Sequence, residues 1–238
     1  MLINGMFNAL SGMNAATKRL QNSANNIANL QTPGFKKSDV VSSSLKPGGT
    51  TVTAVSRSNA QGGLIPTSNP LDLAISGNGF FQVQSNGGGV AFTRSGSFKV
   101  GGDGRLTTAN GEALIPEINV PGDATQISVD SQGQVSARVG GANEVLGQIQ
   151  LANFNNSSGL SSQGGNTFTE SSASGAPVAG APGDGGFGTI VSGALESSNV
   201  DIAEEIVGQT ISEAAFKANA NIIRATDEML GTLLDIKA

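Results

Sequence analysis

Apolar side chains at heptad spacing fill residues 1–30, and this pattern most limits how the chain can fold. The apolar residues are separated alternately by three and four positions, except that the polar residue Thr17 occupies one of these positions. A strict heptad seam is narrower than the stripe of an ordinary amphipathic helix, so it favours other helices as partners over a sheet. An ordinary amphipathic helix that caps a domain is the alternative. The predicted interface residues are Ile3, Met6, Leu10, Met13, Leu20, Ala24 and Ile27.

The end of this first helix is marked by the tripeptide Thr32-Pro33-Gly34. Proline lacks an amide hydrogen and restricts the residue before it to extended geometry. Glycine then permits the chain to reverse. We therefore expect the helix to stop before residue 32.

A second heptad pattern runs from Asp201 to the C-terminus. Asp201 followed three residues later by Glu204 resembles a capping box and places carboxylates at the positive end of the helix dipole. The pattern predicts a helix over 201–236 with two apolar rows at seven-residue intervals. These rows comprise Ile211, Ala218 and Ala225, and Ala215, Ile222, Met229 and Ile236.

The two helical ends carry opposite charge. Residues 1–38 contain four basic residues and no acid, whereas residues 196–238 contain eight acids and three bases, a net charge of minus five. Opposite fields favour association and orient the partners, although each exposed pair is weak. The residues predicted to pair are Lys18 and Arg19 with Glu204, Glu205, Glu213, Asp227 and Glu228.

The middle of the chain predicts antiparallel β structure. From residue 71 to 154, short alternating segments are separated by glycine-rich turns. Residues 36–70 are read as an extended connecting segment with one short strand. Residues 155–188 have no periodicity, so they form either a disordered linker or an ordered, irregular return path to a last strand. The fold class is therefore α+β. Its parts are a discontinuous helical domain of 1–35 and 196–238, the connecting segment 36–70, a β-rich domain of 71–154, and the return segment and last strand over 155–195.

Composition excludes several classes of function. The chain has no histidine and no cysteine, which rules out histidine-based catalytic triads and zinc sites. Gly77 and Gly79 suggest a dinucleotide loop, but Gln82 replaces its third glycine. The net charge of −5 argues against a nucleic-acid partner. We expect no catalytic, metal or cofactor-binding residues, no small-molecule substrate, and no cleaved signal peptide at the N-terminus.

Four sequence blocks resemble those of the bacterial flagellar axial proteins, the family of rod and hook subunits. They are ALSGMNAATKRL with ANNIANLQTPGFKKS, SGNGFFQV, FTRSGSF with GRLTTANGEAL, and LESSNVDIAEEI, in the family's order. The resemblance covers both ends and most of the middle. The residues that match the N-terminal motif are Asn25, Asn26, Asn29, Thr32, Pro33, Gly34 and Phe35.

This resemblance implies a structural subunit of the basal-body rod, most like the distal type. Terminal helices of such proteins form an inner coiled-coil layer of a helical tube that transmits torque and encloses an export channel. Copies of the same chain, neighbouring rod and hook proteins and the flagellar export apparatus would be its partners. A hook or hook-associated subunit is the alternative, and an enzyme with helical oligomerisation arms is a further one.

Overall fold

The computed structural model describes residues 2–85 and 87–237, and the side chains of 4–85 and 87–232. It has a helix at each end and antiparallel β-sheets between them, so the α+β fold class is confirmed. The elements, in chain order, are α1 (Leu2–Ala28), β1 (Ser38–Ser44), β2 (Thr50–Arg57), β3 (Leu64–Pro66), β4 (Leu73–Ser76), β5 (Phe80–Gln84), β6 (Val90–Thr93), β7 (Phe98–Val100), β8 (Leu106–Thr108), β9 (Ala113–Ile115), β10 (Ile127–Val129), β11 (Gln134–Val139), β12 (Ala142–Gln148), β13 (Leu151–Asn153), a 3₁₀ turn (Ser157–Gly159), β14 (Ser161–Gly164), β15 (Thr167–Thr169), β16 (Val178–Gly180), β17 (Thr189–Ser192), β18 (Ala194–Glu196) and α2 (Ile202–Lys237).

The chain divides into two compact units. The helical unit contains Met1–Leu30, Lys37–Ser58 and Val200–Ala238, and the β unit contains Gln31–Lys36 and Asn59–Asn199. In the helical unit, α1 packs against α2 and against the β1–β2 hairpin. One short strand was predicted in residues 36–70, but three form there, β1, β2 and β3. Strand β1 gave no signal because Ser38–Ser44 is largely polar.

The β unit is built around a nine-stranded sheet. Its main path is β14-β15-β6-β5-β9-β8-β7, with β13 pairing with both β5 and β16. Strands β10, β11 and β12 form a separate three-stranded sheet, and the pairs β17–β4 and β18–β3 bring the end of the unit back to its start. Among the alternating segments of residues 71–154, INV at 118–120 predicts a strand and forms none, although Ile118 and Val120 are buried.

The main core lies where strand alternation placed it. Strand alternation between residues 71 and 154 predicts a core of Leu73, Ile75, Phe81, Val83, Phe92, Phe98, Leu106, Ile127, Val129, Val135, Ile149 and Leu151. All but Phe92 and Ile127 are buried in one cluster, Ile127 packs partly buried against it, and Phe92 is buried in a second cluster. This second cluster contains Phe80, Phe92, Ala152, Phe154, Leu160 and Phe168. Edge-to-face contacts connect its rings, with centroids 4.8 Å apart for Phe92 and Phe154.

Residues 155–188 contain three short strands, β14, β15 and β16. Phe154, Leu160 and Phe168 are buried in the second cluster, and Phe187 packs against the main core. Val178 is exposed. Large buried rings therefore hold a stretch whose composition is otherwise typical of a linker.

Candidate assembly surface

Several large apolar side chains of the two helices are exposed. On α1, Phe7 is 65% exposed and Leu10 is 46% exposed, and on α2 Ile211 and Ile222 are 64% and 49% exposed. The predicted interface residues that are exposed are Leu10, Ala24, Ile211, Ala218, Ile222, Ala225 and Met229. Those that are half-buried are Met6, Met13, Leu20, Ile27 and Ala215. The side chains of Ile3 and Ile236 lie outside the described residues.

Small and polar residues form the contact between the two helices. Ala9, Ala16 and Ser23 recur every seven residues and are buried on α1. The matching positions of α2 are Glu205, Ser212, Asn219 and Thr226, of which all but the half-buried Asn219 are buried. A second heptad, invisible in a search for large apolar residues, therefore lies in the contact between the helices, while most of the predicted α2 rows remain exposed.

The helices approach closely along this contact. A Cβ on Gly12 would lie 2.8 Å from Nδ2 of Asn219, and Ser23 Oγ donates a hydrogen bond to the carbonyl oxygen of Glu205 at 3.2 Å. A larger residue at position 12 would therefore have to displace the Asn219 side chain.

Asn26, from the N-terminal motif, connects three elements of the helical unit. Its side chain is fully buried. Nδ2 donates to the Ser38 carbonyl oxygen and to Oε1 of Glu205, both at 2.9 Å, while Oδ1 accepts from the Ser38 amide at 3.0 Å. Of the other motif asparagines, Asn25 is exposed and Asn29 donates back to the Asn25 carbonyl oxygen. One amide therefore joins α1, β1 and α2.

Charges on the helical unit pair differently from the expected scheme. Lys37 Nζ contacts Glu204 Oε2 at 3.0 Å, and this hydrogen bond raises the pKa of Lys37. Arg19 donates to Ser42, and Glu213 pairs with Lys217 on its own helix. Among the described residues, Lys18 and Arg19 form no ion pair within the chain. Asp227 and Glu228 are exposed.

Asp201 caps α2. Its Oδ1 accepts hydrogen bonds from the amides of Ala203 and Glu204, at 2.8 and 3.2 Å. This satisfies two amides that the first turn leaves without helical partners. The cap fixes where α2 begins, one residue later than expected.

In the β unit, the turn after α1 depends on Gly34. Its φ of +68° lies in the left-handed region, and its amide donates to the Glu196 carbonyl oxygen at 2.7 Å. A Cβ there would lie 2.6 Å from the carbonyl carbon of Arg94, a backbone atom that cannot swing away. Next to it, the Pro33 carbonyl oxygen accepts from Asn166 Nδ2 at 2.9 Å.

A buried ion cluster, formed by Lys36, Arg94 and Glu196, lies beside this turn. Lys36 Nζ is 2.5 Å from Glu196 Oε1, and Arg94 Nη1 is 3.4 Å from Oε2. Oε1 also accepts the Gly62 amide at 3.0 Å, and Lys36 donates to the Ala60 carbonyl oxygen at 2.8 Å. Glu196 thus binds the segments around residues 36, 62 and 94.

Burial governs the ionisation of the two cations. It lowers the pKa of Lys36, and the hydrogen bond to Glu196 opposes that shift. It also lowers the pKa of Arg94, against the attraction of Glu196. The two cations and the carboxylate therefore depend on one another.

Each member of the ion cluster comes from a different motif block. Lys36 lies in ANNIANLQTPGFKKS, Arg94 in FTRSGSF and Glu196 in LESSNVDIAEEI. Sequence reasoning missed the cluster because Arg94 and Glu196 are 102 residues apart and Lys36 and Glu196 are 160 apart. The signal available in the sequence was that each of these three blocks contains a charged residue.

Catalytic and metal-binding arrangements were also sought. Within 2–85 and 87–237, no group of three or more acidic residues could hold a metal ion. In the same part of the chain, no helix combines the length and hydrophobicity needed to span a membrane.

Three family models match the chain. The flagella basal body rod protein model covers residues 6–36, the flagellar hook protein FlgE/F/G D1 domain covers 74–137, and the flagellar basal body rod FlgEFG protein C-terminal model covers 191–236. These ranges contain most of the first helix, strands β5 to β10 and nearly all of the second helix.

Full-length relatives agree with these models. Flagellar basal-body rod proteins FlgG from Agrobacterium fabrum and Bacillus subtilis are 37% and 35% identical, over 93% and 99% of this chain and 94% and 100% of theirs. The flagellar hook protein FlgE of Salmonella typhimurium is 40% identical over only 49% of this chain and 29% of its own. The hook alternative is therefore less supported. The chain belongs to the flagellar basal-body rod protein FlgG family and is a structural subunit of the basal body rod.

Proposed function

We propose that copies of this rod subunit assemble into a helical tube through the outward apolar rows of α1 and α2. The observation that carries this proposal is the division of the helix surfaces. Small and polar residues form the contact within the chain, whereas Leu10, Ile211, Ile222 and Met229 remain exposed. Burying such residues between chains is favourable in proportion to their area.

The tube would have a coiled-coil-like inner layer of helices and an outer layer of β units. Contacts between unlike surfaces that do not close into a ring generate a filament. Repeating them makes the tube stiff enough to transmit torque, and the helices enclose an axial channel for export. This arrangement also keeps the domain scheme proposed from the sequence, with both chain ends serving polymerisation.

Neighbouring rod and hook proteins are the proposed partners at the two ends of this tube. Similarity to a hook protein over half the chain supports a related surface on the hook side. The export apparatus would deliver the subunit without a cleaved signal peptide. The role is structural, with neither substrate nor cofactor.

Single-cysteine variants test this proposal, because the natural chain contains no cysteine. Ile222→Cys lies on an outward row, while Thr226→Cys lies on the buried row that faces α1. A maleimide should label Ile222→Cys readily in the monomer and much more slowly after assembly, whereas Thr226→Cys should react slowly in both states. Labelling of Ile222→Cys that is equally fast before and after assembly would show that the outward rows are not the interface.

A further inference from the structure

The ion cluster of Lys36, Arg94 and Glu196 contains more positive than negative charge. Two cations flank one carboxylate, and none of the three side chains is more than 6% exposed. Among the described residues, Glu196 is the acid whose charge acts on Lys36 and Arg94. A buried charge without a counter-charge is costly, so one positive charge requires compensation.

Arg94 also keeps a donor unused. Its Nη2 donates to the Gly77 carbonyl oxygen at 2.7 Å, and Nη1 contacts Glu196 and the Ile75 carbonyl oxygen. The Nε atom is buried, and no acceptor for it exists in the described part of the chain. The guanidinium stacks over the Phe80 ring at 5.3 Å, so its position is fixed.

A small cavity adjoins these two cations. Its volume is about 30 Å³, and Lys36 and Arg94 line it together with the polar residues Asn59, Asn78, Asn153 and Ser157. A space of this size accommodates a water molecule or one small ion and excludes a polyatomic anion such as gluconate. The lining provides side-chain amide and hydroxyl donors in addition to the two charges.

We propose that this cavity binds a monatomic anion, chloride in solution. Chloride accepts hydrogen bonds from several donors and carries the single negative charge that the cluster lacks. A water molecule could accept the Nε–H of Arg94 but would leave the excess positive charge in place. The site goes beyond the assembly role, and it would stabilise the β unit where residues 31–36, 59–63 and 196–199 meet.

Thermal unfolding of the monomeric full-length chain at about pH 6 tests the proposal. Sodium chloride would be titrated against sodium gluconate at constant ionic strength, below the concentration for assembly, so that no neighbouring chain supplies a carboxylate. The melting temperature should rise by roughly 3–5 °C for each tenfold increase in chloride above half-saturation. Equal melting temperatures in chloride and gluconate would overturn the proposal.

A matched pair of variants locates the effect. Lys36→Met removes the excess charge and should abolish the chloride dependence, whereas Lys99→Met removes an exposed lysine of the same unit and should preserve it. Bromide soaked into crystals of the natural chain gives a readout independent of variant folding. An anomalous peak within hydrogen-bonding distance of Arg94 Nε supports the site, and a peak absent there would refute it.

Discussion

Lys36 and Glu196 are 160 residues apart, yet their side chains meet at 2.5 Å in the interior of the β unit. Lys36 lies eight positions after α1 ends at Ala28, and Glu196 lies six before α2 begins at Ile202. The pair therefore ties together the two segments that lead to the helices. The pair is therefore the target of the first test.

Glu196→Gln should destabilise the β unit strongly. The change leaves two buried cations facing a neutral amide, and removing one partner of a buried ion pair costs about 3–5 kcal/mol. Urea unfolding of the full-length monomer measures this loss. Glu117→Gln, which removes one exposed partner of Arg105, is the control and should cost less than about 1 kcal/mol. Equal losses would mean that the buried cluster has no special role.

Gly34→Ala should also be destabilising, for a reason confined to the backbone. Alanine is strained at a φ of +68°, and its Cβ would meet the Arg94 backbone. We expect a loss above about 1 kcal/mol. Gly63→Ala is the control, because nothing lies within 4 Å of a Cβ there and its φ is not left-handed. Equilibrium unfolding of the two variants should separate them clearly, and similar midpoints would contradict this explanation.

Asn26→Asp should open the helical unit. It replaces a donor by a carboxylate 2.9 Å from Glu205 Oε1, so two like charges would face each other in a buried site. We expect a cost above about 2 kcal/mol. Hydrogen exchange of the α1 amides measures it, with the exposed Asn25→Asp as control. Unchanged protection in Asn26→Asp would argue against a connecting role for this side chain.

Stability in mild alkali should depend on Lys36. Burial lowers the pKa of Lys36 in the folded state below its ordinary value of 10.5. At a pH between the folded-state pKa and 10.5, the unfolded chain therefore binds more protons than the folded chain. The contribution of Lys36 to the free energy of unfolding must therefore rise with pH until pH 10.5. The pKa of Lys37 is raised, so this residue lowers the free energy of unfolding only above pH 10.5. Urea unfolding between about pH 7 and 10 should show a steeper rise for the natural chain than for Lys36→Met, and parallel curves would be the contrary result.

The local sequence pattern was sufficient to predict the elements whose apolar residues recur at a regular spacing. The bounds of α1 and α2 follow from the heptads, the Thr32-Pro33-Gly34 stop and the Asp201 cap. Alternation also identified buried positions such as Ile149, even where no strand exists, because burial and ladder pairing are separate requirements. Polar strand β1 gave no such signal.

What the sequence could not provide was pairing at long range. The choice of α1 face rests on Ala9, Ala16 and Ser23, whose small size matters only once α2 is adjacent. The ion cluster likewise requires the sheet to bring Arg94 beside Glu196. Electrostatic pairing of Lys18 and Arg19 with the acids of the C-terminal helix stays a prediction, because it includes contacts between chains of an assembly.

The central claim, that the outward apolar rows drive assembly, is tested most directly by Ile222→Asp measured beside Asn221→Asp. Both add one negative charge to α2 at adjacent exposed positions, but only residue 222 lies on an apolar row. Burying the unpaired carboxylate at each contact would cost several kcal/mol. Light scattering and electron microscopy of purified chains should show filaments from Asn221→Asp and none from Ile222→Asp, while both variants retain the melting temperature of the β unit. Filaments of ordinary length from Ile222→Asp would contradict the claim.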